Sequence, residues 1–223
     1  MKRTILYGLG FTFLVLGTAS CGKSTTGKIA NNWTIVSQNE EQTVVNSAGD
    51  KSYSKNTYTE TTFSNYSEQT PFSGSTITTE TSGTVTTNTI EIKKDGTWTW
   101  SQELVYNEDL GGGNTSNYVV KNVHSGNWNF VKKSKGEDFE KNERISLEAL
   151  ERTNSTVQTV NNVLANSNSS KTTYSPGESI VVYTIVKSKN KELELKLDVD
   201  SRDVINGNAS TKKMTRSIVL EEK

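Results

Sequence analysis

The sequence predicts an all-β fold, an antiparallel up-and-down barrel of about eight or more strands, and three observations carry that expectation. Apolar and polar residues alternate along short runs, the period of a half-buried strand. Turn-forming residues separate those runs at short intervals. The chain is rich in Thr, Ser and Asn but has only 2 prolines, a composition that suits half-exposed strands and tight turns. A two-sheet sandwich is the other architecture this pattern allows. A short helix near 155–165 is the one expected departure from strand.

The first twenty residues are set apart. Lys2 and Arg3 give a positive start, Ile5 to Leu16 is almost wholly apolar, and Gly17-Thr18-Ala19-Ser20 is a run of small residues. That order is the signature of a secretory signal, expected over residues 1–20. Its apolar core falls short of the ~20 residues a spanning helix needs. Thr18-Ala19-Ser20-Cys21 has the form of a bacterial lipobox, with Thr18 where Leu is usual, and Cys21 is the only cysteine in the chain. Lipidation of Cys21 is therefore expected, and acyl chains there would hold the chain to a membrane. Ordinary cleavage after Ala19 and an uncleaved anchor are the competing readings. A flexible tether is expected over 21–30 and one folded domain over 31–222.

Without the signal, about 200 residues remain, enough for one domain with a real core. No intrachain disulfide is possible. Removing Lys2 and Arg3 from the 25 basic residues leaves 23 against 25 acidic ones, so the chain offers no basic surface for nucleic acid.

Along the domain, the first strand is Trp33 to Val36. Residues 40–83 hold weakly apolar runs rich in Thr and Tyr, including Thr57 to Phe63 and Ser75 to Thr81, whose register the pattern specifies poorly. The sharpest local feature lies at 89–101. A two-residue Asp95-Gly96 loop would pair Lys93 with Trp98, mixing charge with indole. A three-residue loop, Lys94-Asp95-Gly96, pairs Ile92 with Trp98 and Ile90 with Trp100, placing all four apolar residues on one face. The expectation is a type I turn with Gly96 in the left-handed region as a bulge. A loop is expected over 107–117 around Gly111-Gly112-Gly113. Strands follow at Tyr118 to Val123, at Gly126 to Val131 with Trp128 and Phe130 on a common face, and at Arg144 to Leu150. Val157, Val160, Val163 and Leu164 have helical spacing behind a capping Ser155, so 152–173 is read as a short helix or a long loop. A second hairpin joins Ile180–Val186 to the alternating Leu193, Leu195, Leu197 and Val199. A last strand covers Met214 to Leu220.

Several motifs fall into an order: Trp33-Thr34-Ile35-Val36-Ser37, Ile90-x-Ile92 with Asp95-Gly96-Thr97-Trp98, Ser125-Gly126-Asn127-Trp128-Asn129-Phe130, Lys141 to Leu147, and Tyr183-Thr184-Ile185-Val186 leading to Leu193 and Leu195. This order resembles the lipocalin-like domain of small Bacteroidota lipoproteins. The resemblance covers most of the chain beyond the signal. It implies a calycin-type barrel and no established activity. Lipocalins open their first strand with Gly-x-Trp; here Asn31 stands at that Gly, and the one Gly-x-Trp, Gly126-Asn127-Trp128, lies mid-chain. Lipocalins also pack the first Trp on a late Arg, which gives Arg216 over Trp33 as the implied cation–π pair. Gly22-Lys23-Ser24-Thr25-Thr26 lacks the acidic stretch that directs some lipoproteins of this phylum to the cell surface. The resemblance thus implies the periplasmic face of the outer membrane.

Chemistry-bearing motifs are few. Gly17 to Ser24 matches the phosphate-binding Walker A pattern letter for letter, but the preceding run is a signal core and cleavage would cut it in half. His124 is the only histidine, with no nucleophile elbow, and a zinc site would need further ligands. Asp198, Asp200 and Asp203 lack the glycine and glutamate positions of a calcium loop and read as solvated charges. No carboxylate pair can be chosen for glycosidase chemistry. The aromatic set Trp33, Trp98, Trp100, Trp128 and Phe130 is read as barrel interior, either plain core or the wall of an apolar pocket. The expectation is a non-catalytic, monomeric envelope lipoprotein, without cofactor or metal, holding a small apolar ligand. The alternative is a β-sandwich module that binds glycan or a protein partner.

Overall fold

A computed structural model describes residues 25–131, 142–189, 191–205 and 208–223. The signal expected over 1–20, the lipidation expected at Cys21 and the Gly17–Ser24 motif fall outside the described residues. Among the described residues the chain forms one five-residue helix, α1 (Thr25–Ile29), and eleven strands: β1 (Asn32–Val45), β2 (Lys51–Thr59), β3 (Thr62–Thr70), β4 (Ile77–Ile92), β5 (Thr97–Gly111), β6 (Asn114–Val131), β7 (Arg144–Val160), β8 (Val163–Thr173), β9 (Ile180–Lys189), β10 (Glu192–Ile205) and β11 (Asn208–Glu222). Ten of them close an antiparallel up-and-down ring in the order β1-β2-β3-β4-β5-β6-β7-β9-β10-β11, with β8 added outside on β7. The barrel is the architecture the sequence predicted; the sandwich is not formed.

The ring is narrower at one end. At the base, β1 pairs directly with β4, matching Trp33 with Ile90 and Thr34 with Thr89, so the β2–β3 hairpin is excluded there and eight strands surround the interior. Higher up, β1 turns to β2 from Ser37↔Thr59, and β4 turns to β3 at Thr62↔Thr84. Barrel diameter grows with strand number, and eight strands leave an interior that side chains can fill. The base accordingly holds the main core. Trp33, Ile35, Ile92, Ile145, Leu193 and Leu220 belong to it and are all buried. A smaller cluster of Phe63, Val85 and Leu104, flanked by Tyr58, Tyr106 and Val120, sits on the β3–β6 side. Each fully buried aliphatic side chain contributes about 1.5–3 kcal/mol relative to exposure.

The hairpin at 89–101 has the predicted register, Ile92↔Trp98 and Ile90↔Trp100. The Gly96 amide donates to the Lys93 carbonyl (3.2 Å), the Lys93 amide to the Thr97 carbonyl (2.9 Å), and Gly96 has φ +90°. Asp95 Oδ1 accepts from the Thr97 amide and hydroxyl, which closes the turn.

Several expectations need correcting. The helix or loop read at 152–173, with its helix near 155–165, is the β7–β8 hairpin instead. Its turn is Asn161-Asn162 with φ +49° and +66°, the left-handed pair of a type I′ turn. The helically spaced valines straddle that turn. The loop read at 107–117 is also hairpin: β5 and β6 stay paired to Gly111↔Asn114. The run Thr57–Phe63 is the corner between β2 and β3, not one strand. The tether read at 21–30 gives way from Thr25 onward. Ile29 is fully buried in the base core, and its carbonyl accepts from Trp33 Nε1 at 2.8 Å, so the packed domain begins before residue 31.

Gly126 has a steric reason. β7 carries one extra residue where it passes Ser125–Gly126, and a Cβ at 126 would overlap the Glu148 carbonyl oxygen and crowd the Leu150 amide.

Candidate functional site

Above the base core the barrel encloses a cavity of about 1000 Å³. Its floor is apolar, built from Ile35, Ile90, Trp98, Leu147, Leu195 and Ile218. Its middle is polar, and on two strands bulges shift which residues point inward. On β1 the ladder to β11 slips between Ile35 and Ser37, so Gln38, Glu40 and Gln42 line the cavity beyond it. On β7 the extra residue Leu150 does the same, and Arg152 and Asn154 follow Leu147 and Ala149 into the lining.

Two rows of this layer run across β5, β6 and β7. Trp100 pairs with His124 and His124 with Arg152; one step up, Gln102 pairs with Asn122 and Asn122 with Asn154. Trp100 meets His124 edge-on, with ring centroids 4.6 Å apart, and donates from Nε1 to Asn88 Oδ1 at 2.8 Å. Asn122 Nδ2 donates to Gln102 Oε1 at 3.1 Å. Arg152 donates from Nη2 to Ser179 Oγ at 3.1 Å and lies 5.1 Å above the Tyr174 ring. Across the cavity, Arg216 forms an ion pair with Glu40 and donates from Nη1 to Tyr183 Oη at 2.8 Å.

Electrostatics follow from this placement. Burial, then the charges of Arg152 and Arg216, push the His124 imidazole down to about 4, so it is neutral near pH 7. Burial opposes the Arg216 charge, but Tyr183 and Glu40 outweigh it and hold the guanidinium above its ordinary value. Burial and the Glu40 charge raise the Tyr58 phenol, with Arg216 acting the other way. The lining as a whole is cationic: Arg144, Arg152, Lys196, Lys212 and Arg216 against Glu40 and Asp198, in a chain whose formal charges cancel.

The cavity opens through the wall. β10 pairs with β9 only as far as Lys196↔Thr184, and among the described residues no strand continues the ladder on that side. Every residue from Ser179 to Thr184 and from Leu195 to Val199 borders the cavity, inward-facing and outward-facing alike. Consecutive residues of a strand point to opposite faces, so this run marks a mouth between β9 and β10.

Of the five aromatic residues singled out in the sequence, two line the cavity. Trp98 is 6% exposed, donates from Nε1 to the Glu148 carbonyl at 3.0 Å and forms part of the floor, while Trp100 is half-buried beside His124. The other three pack outside the lining. Trp33 is held by α1, Trp128 is 6% exposed and donates from Nε1 to the Lys93 carbonyl at 2.7 Å, and Phe130 flanks the same core. For these three, core packing replaces the pocket-wall reading. The Arg216–Trp33 pair is not formed: Trp33 pairs with Glu222 at the base, whereas Arg216 pairs with Glu40 higher up. Asp198 and Asp200 are outward-facing and meet Lys196 (3.1 Å) and Lys213 (3.4 Å); the side chain of Asp203 lies outside the described residues. The sequence reading missed Glu40 and Arg152, because a bulge leaves no mark in composition; it missed Gln102 although that residue continues the Trp98–Trp100 alternation, and it gave Arg216 another partner.

No family model, no curated protein and no solved structure matches the chain.

Proposed function

We propose that this chain is a non-catalytic carrier, lipid-anchored through Cys21 in the cell envelope, that holds a small and largely apolar molecule inside its barrel. The observation that carries the reading is the cavity of about 1000 Å³ with an indole-lined apolar floor and a mouth between β9 and β10. Ligand pockets of a few hundred to about 1000 Å³ suit small molecules. The N-terminal pattern of Lys2, Arg3, the apolar run and Cys21 supports export and anchoring. The reading is tested by native mass spectrometry of the purified protein, followed by solvent extraction and analysis of the extract. A stoichiometric small molecule that leaves on extraction is expected. A protein that is empty and takes up no apolar probe would refute carriage.

A second reading draws on a different observation. The hairpin tips at the wide end carry exposed apolar side chains, among them Phe72, Ile77, Leu110, Val163 and Leu164. They favour contact with another surface during loading or release. Glycan stacking has no such support, since Trp33, Trp98 and Trp128 are buried.

A further inference from the structure

We infer that the ligand is an anionic amphiphile with a single carboxylate head, its head seated at Arg152 and Gln102 and its tail lying on the Trp98 floor. This rests on the carrier reading and adds the chemistry of the ligand.

The inference starts from buried donors that lack acceptors. Gln102 is only 4% exposed and lines the cavity; its Oε1 is used by Asn122, but its Nε2 has no partner. Arg152 Nε is buried without a partner on the same wall. Asn88 Nδ2, on the strand paired with Gln102 but outside the cavity lining, is a third. All three are donors. A buried donor left unpaired carries its full desolvation penalty, so the two that line the cavity call for an acceptor from outside the chain.

Charge then narrows the acceptor. Among the described residues Arg216 has a carboxylate in ion-pair contact, Glu40, and Arg152 has none. Tyr174 and Ser179, which do touch Arg152, are both neutral. His124 sits between the two guanidiniums and is neutral, so it supplies no second positive charge. Arg152, which has no carboxylate in ion-pair contact, and the unpaired Gln102 amide line the same cavity, and both suit a negative charge spread over two oxygens. Planar guanidinium and carboxylate also match in geometry. The floor below is apolar and accepts a chain rather than a second polar group.

The test uses one tail and three heads: dodecanoate, dodecan-1-ol and dodecyltrimethylammonium, titrated into the purified full-length protein made without a histidine tag. His124 is then the single histidine, so its imidazole NMR signals need no assignment. Dodecanoate should bind at least about tenfold more tightly than the alcohol, and the ammonium weakest. Dodecanoate should also raise the His124 titration midpoint, since a negative head offsets the two guanidiniums; the alcohol should leave it in place. Gln102→Glu, nearly isosteric, should bring the carboxylate-to-alcohol affinity ratio down to about one. Should that variant fail to fold, the head-group series on the unaltered chain still decides. If carboxylate and alcohol bind equally, or the ammonium binds best, the anion inference fails while carriage stands. If none of the three binds, carriage fails and takes the inference with it. A carboxylate that binds tightly but leaves His124 unmoved would place the head elsewhere and overturn the site.

Discussion

Replacing Glu40 by Gln should weaken the fold and strengthen anion binding at once. Glu40 and Arg216 face each other across the β1–β11 ladder, with side chains only 14% and 26% exposed. Opposite unit charges about 4 Å apart attract by about 4 kcal/mol at an effective dielectric near 20. Gln keeps the acceptor oxygen and spares the desolvation of a carboxylate, but leaves Arg216 with only Tyr183. The net cost should be about 2–3 kcal/mol. Urea unfolding followed by tryptophan fluorescence reads this directly; with a slope of about 2–3 kcal/mol per molar, the midpoint falls by about 1 M. The double variant Glu40→Gln/Arg216→Met should recover part of the loss, because no buried cation is left unpaired. Meanwhile the single variant has lost the one carboxylate in contact with the inner cations, so dodecanoate affinity should rise. A Glu40→Gln protein within about 0.5 kcal/mol of the parent, or a double variant that is strictly additive, would refute the coupling.

Other consequences are equally direct. His124 is half-buried and takes its proton at about 4 in the fold against 6.5 when unfolded, so between those values the unfolded chain binds more protons. The stability is complete above pH 6.5 and falls as the pH drops toward 4, by about 1–2 kcal/mol once the wetted part of the ring is discounted for solvent screening. His124→Asn should lack this component; parallel stability curves for the two proteins over pH 4–8 would remove the basis of the effect. Gly126→Ala should cost about 2–4 kcal/mol in thermal or denaturant unfolding, since the new methyl group meets the Glu148 carbonyl. An unchanged melting temperature would mean the β7 bulge yields easily. Ile29→Ala, at a fully buried site, should cost about 2–4 kcal/mol and raise amide exchange at Trp33; equal protection would show that α1 adds nothing to the base.

The base of the barrel was legible in the sequence, and the cavity was not. Parity alone gave the 89–101 hairpin, because a single choice of loop length put Ile90, Ile92, Trp98 and Trp100 on one face. Alternation likewise gave the inward set Leu193, Leu195 and Leu197 on β10. The β7–β8 hairpin was misread for a definable reason. Val157 and Val160 lie before its turn and Val163 and Leu164 after it, so a helical period appeared where two strands fold back. Asn161-Asn162 was the local signal that could have found it, since Asn tolerates positive φ better than other residues that carry a side chain. The buried end of α1 was hidden because one isoleucine in a polar stretch has no period. The mid-barrel set failed differently. Alternation predicts a face only while register holds, and one extra residue inverts it. Slips at Ile35/Ser37 and beside Gly126 bring Glu40 and Arg152 inward, where a strict period of two would carry Asn39 and Thr153.

These slips also explain how one chain combines a stable barrel with an internal polar site. At the base, eight strands close on Ile and Leu side chains and need nothing more. The β2–β3 hairpin enters above, widens the ring to ten strands and opens space that the second cluster of Phe63, Val85 and Leu104 fills on one side only. The space that remains is lined by donors and cations, and such a surface is hydrated whenever it is empty of ligand. Water over the polar layer is held well, while water over the Trp98 and Leu147 floor is held poorly. A molecule that gains most by entering therefore displaces the second kind with a hydrocarbon tail and replaces the first with an acceptor. Uncharged hydrocarbon would strip water from Arg152 and Gln102 without giving anything back, so the polar layer selects against it as firmly as it selects for a carboxylate.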